Sequence, residues 1–158
     1  MIKKIIGGAV MASTMMFALP NDPIQLTMVS QAAQKKAVIM ANMHLKGDLN
    51  EKFGKAYDAY QQKFMKLRLE RLGLIEEYAK NFTKMNDAEA DKLLKKWFDL
   101  RKKEVELQQK SAEDFKKILP ASMVIRYYQM ENRINLLREA KTASLIPLAI
   151  PDQQKKAK

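Results

Sequence analysis

The run Asn86 to Leu119, NDAEADKLLKKWFDLRKKEVELQQKSAEDFKKIL, holds neither glycine nor proline until Pro120. Either residue inside a helix is costly, about 1 kcal/mol for glycine and about 3 for proline. A long charged stretch free of both reads as one helix. Asn86 stands where an N-cap is needed and Glu89 follows three residues later, the spacing of a capping box. Asp87 adds an acid to the first turn, where the helix dipole favours it. At 1.5 Å per residue such a rod is about 50 Å long.

Its apolar residues fall on one arc: Leu93, Leu94, Trp97, Phe98, Leu100, Val105, Leu107, Ala112, Phe115, Ile118 and Leu119. A rod this long cannot bury that arc by itself, so antiparallel partners are required, and the chain supplies one on each side. The expectation is that two neighbouring helices shield the arc, Trp97, Phe98 and Val105 included, while the opposite side stays wet.

That opposite side carries Lys95, Lys96, Lys102, Lys103, Lys110, Lys116 and Lys117. Two readings stay open. Asp99, Glu106 and Glu113 each precede a lysine by four residues, the favourable order for helix pairs at roughly 0.2–0.5 kcal/mol each, so the face can be solvated and self-paired. Alternatively, the lysine excess forms a surface that holds an acidic or polar client. Salt dependence of binding separates the two.

The flanking segments repeat the helical pattern. Gln34 to Lys46 reads as a helix closed by Gly47 at its C′ position. Asp48 and Glu51 suggest a second capping box, and the next helix runs to about Met85 with a stripe of Phe53, Tyr57, Tyr60, Phe64, Leu67, Leu74, Tyr78 and Phe82. Arg71 lies in register with that stripe. Gly54 and Gly73 interrupt this helix, and close approach of a neighbour is the expected reason. Asn81 to Asn86 is short enough to force an antiparallel hairpin. Pro120 breaks the central helix, since proline suits a first turn and not an interior. A last helix follows with a stripe of Met123, Tyr127, Met130, Ile134 and Leu137, ended by Pro147. The apolar tail, residues 145–151, either caps an open bundle end or waits for a partner groove. The fold class is therefore all-α, antiparallel long-helix hairpins of three to four helices, with no strand alternation, repeat or phosphate loop.

With 158 residues the chain is one domain. Residues 1–32 read as an export signal: MIKK as basic n-region, Ile5 to Leu19 as h-region, and Ser30-Gln31-Ala32 as the small-residue cleavage site. An uncleaved anchor or a buried helix are the alternatives, though the apolar run is short for a membrane span. No cysteine follows the h-region, which removes a lipoprotein. The helical domain is then 33–151, a disordered basic tail is 152–158, and export without a second membrane segment places the mature chain in a periplasm. The formal charge is +11, and beyond residue 32 it is +10, from 27 basic and 17 acidic residues. Acidic partners are thus favoured as a class, but charge alone chooses none of them.

The absence of cysteine excludes disulfides, thiol catalysis and thiolate metal sites, and His44 is the only histidine. Neither a zinc hydrolase nor a Ser-His or Cys-His triad can be assembled within this chain. Acid pairs such as Glu76 and Glu77 sit on a basic helical surface with nothing to desolvate them. No enzyme and no cofactor is expected. One metal alternative stands beside core packing: Met40, Met43 and His44 share a helical face and are soft ligands of the kind Cu(I) or Ag(I) accepts. Nucleic acid is not an expected partner, because the aromatics lie on the apolar stripes and not among the lysines.

Three pieces together carry a resemblance: the turn Met85-Asn86-Asp87-Ala88-Glu89-Ala90, the long charged helix, and Ile118-Leu119-Pro120 followed by Val124-Ile125-Arg126-Tyr127-Tyr128-Gln129-Met130-Glu131-Asn132-Arg133. From about Tyr57 to Ile146 the chain resembles the Spy/CpxP-type periplasmic proteins. Where those carry a leucine–threonine–x–x–glutamine motif, this chain carries MNDAE and LPASM. The resemblance implies an antiparallel helical protein, often a cradle-shaped homodimer, that holds unfolded or partly folded envelope proteins without ATP. Other relatives sense metals or restrain stress-signalling kinases. The expectation is an exported, chaperone-like binding protein. The alternatives are a copper- or silver-responsive factor and a structural envelope protein binding anionic surfaces.

Overall fold

The computed structural model describes residues 23–150, with side chains from residue 26 onward. The n- and h-regions of the expected export signal and the basic tail 152–158 lie outside the described residues. Four helices follow one another: α1 Pro23–Met43, α2 Gly47–Asn81, α3 Asp87–Lys116 and α4 Ala121–Ala143. No strand occurs among the described residues. The chain is all-α, built from long antiparallel helices.

Two local signals in the sequence act as expected. Asn86 caps α3 with its side chain accepting from the Glu89 N–H at 2.9 Å, while Glu89 accepts from the Asn86 N–H at 3.1 Å. Pro120 occupies the N-cap of α4, where its missing N–H is no loss.

The joint between α1 and α2 differs from expectation. α1 ends at Met43, and His44 takes the left-handed conformation (φ 52°) that Gly47 was expected to supply. Gly47 also has positive φ (54°), but it opens α2. No side chain caps α2 at Lys46. The expected Asp48–Glu51 box is absent because both acids turn along the helix, Asp48 to Lys52 and Glu51 to Lys55. α1 also begins earlier than Gln34, so Ser30, Gln31 and Ala32 lie inside it. α4 stops at Ala143, short of Pro147, with Ser144 as C-cap.

α2 and α3 form a hairpin along their whole length, and α4 returns over the C-terminal half of α3. α1 lies chiefly along α4 and touches α2. At one end all four helices enclose a core of Ile39, Met43, Phe53, Tyr57, Tyr60, Phe64, Phe115, Leu119, Val124 and Tyr127. Most of its rings meet edge to face or tilted, Phe115–Tyr127 at 4.9 Å and Phe53–Phe115 at 5.3 Å, while Tyr60 and Phe64 stack at 5.6 Å, all geometries that aromatic quadrupoles favour. At the other end the second half of α2 pairs with the first half of α3, and the tail after α4 lies against them. Tyr78 donates to the Pro147 carbonyl at 2.8 Å.

This uneven cover overturns one expectation. Trp97, Phe98 and Val105 were to be shielded, yet they are 41, 57 and 50% exposed, and Leu94 is exposed as well. The reason is the width of the arc. The buried seam of α3 runs through Leu100, Glu104, Ser111 and Phe115. Phe98 and Val105 lie about a quarter to a third of a turn around from it, beyond what α2 and α4 reach. Leu137 of the expected α4 stripe also faces out, at 77% exposed. The glycines differ too: a Cβ on Gly54 would make ordinary contact with Met40 at 3.5 Å, while Gly73 faces open space.

Candidate functional site

The seven lysines singled out on α3 are all exposed. Their pairing is partly within α3 and partly across to α2, and none of the pairs is one of the three that the sequence spacing offered. Lys96 reaches across to Glu77 at 2.7 Å and Lys103 to Glu70 at 3.2 Å, so these two stitch α3 to α2. Lys116 and Lys117 take the acids three residues before them, Glu113 and Asp114. Lys102 lies 3.9 Å from Glu106. Lys95 and Lys110 make no ion pair among the described residues. The hydrogen bond to Lys117 holds the exposed Asp114 carboxyl below its ordinary pKa.

On the adjoining face lies a line of apolar side chains. Leu94, Phe98 and Val105 are spaced four and seven residues apart, which places them along one side of α3. Trp97 packs edge to face on Phe98 with ring centroids 4.8 Å apart. The helical repeat sets Lys95 and Lys102 immediately beside that line. Ile125 and Leu136 are exposed on α4 as well. Exposed leucines occur singly on any protein, but a row of large apolar groups bordered by cations is a feature that needs a reason.

The methionine–histidine trio is divided. Met43 is buried in the aromatic core, Met40 is half-buried, and His44 is exposed beyond the helix end. The shared helical face expected of them does not exist, because the helix stops at Met43. Among the described residues no group of three His, Cys, Asp or Glu side chains has metal-binding geometry.

Sequence reasoning missed the interior charges. Lys35 of α1 and Glu131 of α4 form an ion pair with both side chains almost fully buried. Lys35 also sits 5.3 Å from the centre of the Phe64 ring. Burial pulls the Lys35 ammonium below its usual pKa, opposed by Glu131. The second oxygen of Glu131 and the hydroxyls of Tyr57 and Tyr127 have no hydrogen-bond partner among the described residues. Desolvation, with Glu131 nearby, drives both tyrosines well above their ordinary range. Glu131 and Glu104 are thus buried acids that the sequence reading, which considered only acid pairs such as Glu76 and Glu77, did not single out.

Glu104 is buried on α3, and burial raises its carboxyl above the usual range despite Arg71 and Arg101 nearby. Arg101 donates to it at 3.3 Å. Arg71 of α2 donates to Glu139 of α4 at 3.2 Å, and Arg138 donates to the Gln31 carbonyl of α1 at 3.1 Å. Polar residues thus occupy core register: Glu104 between Leu100 and Leu107, Glu131 four after Tyr127, Lys35 four before Ile39. That register was the available signal.

Among the described residues no helix is long and apolar enough to cross a membrane. No known protein family, no curated protein and no solved structure matches this chain.

Proposed function

We propose that the chain is an exported, chaperone-like binding protein that holds partly unfolded polypeptides weakly and without ATP. The observation that carries this reading is the apolar line Leu94, Phe98 and Val105, set beside Lys95 and Lys102 on the uncovered side of α3. The lysine side was expected to be the client surface; the apolar line beside it now has the larger part. Fully burying one such side chain contributes roughly 1.5–3 kcal/mol, and a few half-buried ones yield contacts a client can leave. The lysines act earlier. A net charge of +10 beyond residue 32 draws acidic segments in over a Debye length, about 10 Å at 0.1 M salt. Export rests on MIKK followed by the apolar run Ile5 to Leu19.

The test is aggregation of a chemically denatured client followed by light scattering. Suppression at near-stoichiometric ratios, weakened by salt and by the pair Phe98→Ser with Val105→Ser, is the expected result. A client that aggregates unhindered at tenfold excess of the wild-type chain removes the reading.

A further inference from the structure

Two cavities meet at the open end of the hairpin. The first, of about 180 Å³, is bounded by Arg68, Arg71 and Arg138 and by Phe64, Leu72 and Ile75. The second, of about 740 Å³, is a groove walled by Leu74, Tyr78, Leu93, Leu94 and Trp97 and by the tail at Ile146 to Ala149. Arg71 and Ile75 belong to both, so the groove opens onto the arginine cluster. The groove falls inside the size range of small-molecule sites, and its wall is apolar apart from Arg71 and the exposed Asp91.

The charge in the small cavity is unbalanced. Glu104 and Glu139 also line it, but Arg101 pairs with Glu104, and Arg71 and Arg101 both contact Glu139. In the full-length chain Arg138 is spent on the Gln31 backbone carbonyl. Arg68 has no carboxylate at salt-bridge distance among the described residues. It feels Arg138 and Arg71, both repulsive, more strongly than it feels Glu131. A half-buried guanidinium crowded by two others at the head of an apolar groove is the complement of an anion carrying an apolar chain.

We propose that this continuous site binds a single-chain fatty carboxylate, its head group at Arg68 and Arg71 and its alkyl chain along Leu74, Tyr78, Leu93 and Trp97. The head would relieve the repulsion among the arginines, and the chain would cover groove walls that now face water. Each methylene removed from water tightens binding roughly fourfold, so chain length sets affinity while the carboxylate sets orientation. This site goes beyond the polypeptide-holding reading: it uses Arg68 and the groove, whereas client holding centres on Phe98 and Val105, and although Leu94 borders both, the Arg68 and the Phe98/Val105 variants let either fail alone.

Trp97 is the only tryptophan in the chain, so its emission reports on the groove. Dodecanoate, kept below its micelle concentration, is titrated into the full-length protein, with 1-dodecanol as the neutral match. A saturable, equimolar blue shift with dodecanoate binding more tightly than dodecanol is expected. Arg68→Gln should weaken dodecanoate about tenfold, the loss of roughly one charge-assisted hydrogen bond, and leave dodecanol unchanged. Ala90→Phe, at an exposed groove position, fills the cavity from a site that packing does not need and should block both ligands. Circular dichroism checks that both variants remain helical. No saturable shift overturns the proposal, as does equal affinity for acid and alcohol, or undiminished dodecanoate binding in a helical Arg68→Gln protein.

Discussion

The two ends of the α2–α3 hairpin use similar residues in opposite ways. At the closed end Phe53, Tyr60 and Phe115 all meet the ring of Tyr127 from a third helix, α4, and lose nearly all contact with water. At the other end Trp97 and Phe98 lie on the same helix as Phe115, in an equally aromatic stretch, and face solvent. What differs is the number of helices present. Four helices surround the first set, while the second set has α2 on one side and only the tail after α4 nearby. An apolar arc therefore specifies burial only where enough neighbours exist to cover its full width. Where they do not, the leftover becomes a surface.

The largest test of that contrast sets two phenylalanines of α3 against each other. Phe115→Ala should cost about 3–5 kcal/mol in urea unfolding, the usual toll of a large core deletion, whereas Phe98→Ala should stay within about 0.5. Equal losses would mean that the open face is covered in solution. Next comes the buried pair that ties α1 to α4. Lys35→Met alone or Glu131→Leu alone should each destabilise by roughly 3–5 kcal/mol, because each strands a buried charge, and the double variant should recover most of that loss. Additive losses in the double variant would deny the pairing.

A smaller effect belongs to the open half of α2. Gly73→Ala should stabilise by up to about 1 kcal/mol, since a Cβ there meets nothing, and Gly54→Ala should gain less because Met40 lies at contact distance. Thermal unfolding of the two variants side by side measures this. The smallest effect is a pH slope. Burial makes folded Glu104 hold its proton to higher pH than the unfolded chain does. Its stabilising share is thus complete below the unfolded value, about 4.3, and is lost as pH rises through the folded value. Glu104→Gln should flatten stability against pH over that window, and an unchanged slope would place Glu104 in water.

Local features were legible in the chain. Asn86 and Glu89 make a cap with atoms three residues apart, and Pro120 stops a helix by its own covalent structure, so neither depends on distant partners. The turn between Asn81 and Asn86 belongs with them. The face of α3 that packs was not legible. LLKKWFDL spreads its apolar groups around more than one side, and only the placement of α2 and α4 selects Leu100 over Phe98. The candidate site suffered most from a second habit of pattern reading, which sends every lysine and glutamate to the surface. Lys35, Glu104 and Glu131 were hidden by it, although each of the three occupies the register of a core residue, and so were Arg68 and Arg138, whereas Arg71 was seen in register with the α2 stripe. Lys95 and Lys102 were read correctly as wet, yet the apolar line beside them was assigned to the interior.

The bond from Arg138 to the Gln31 carbonyl has a consequence for timing. Proteases that trim leaders grip their substrates as extended strands, and here Ser30, Gln31 and Ala32 are wound into α1, with that carbonyl already held by α4. If the proposed leader is cut after Ala32, the cut is expected while the chain is still emerging and unfolded. Once α4 has docked, the same bond would lock that door.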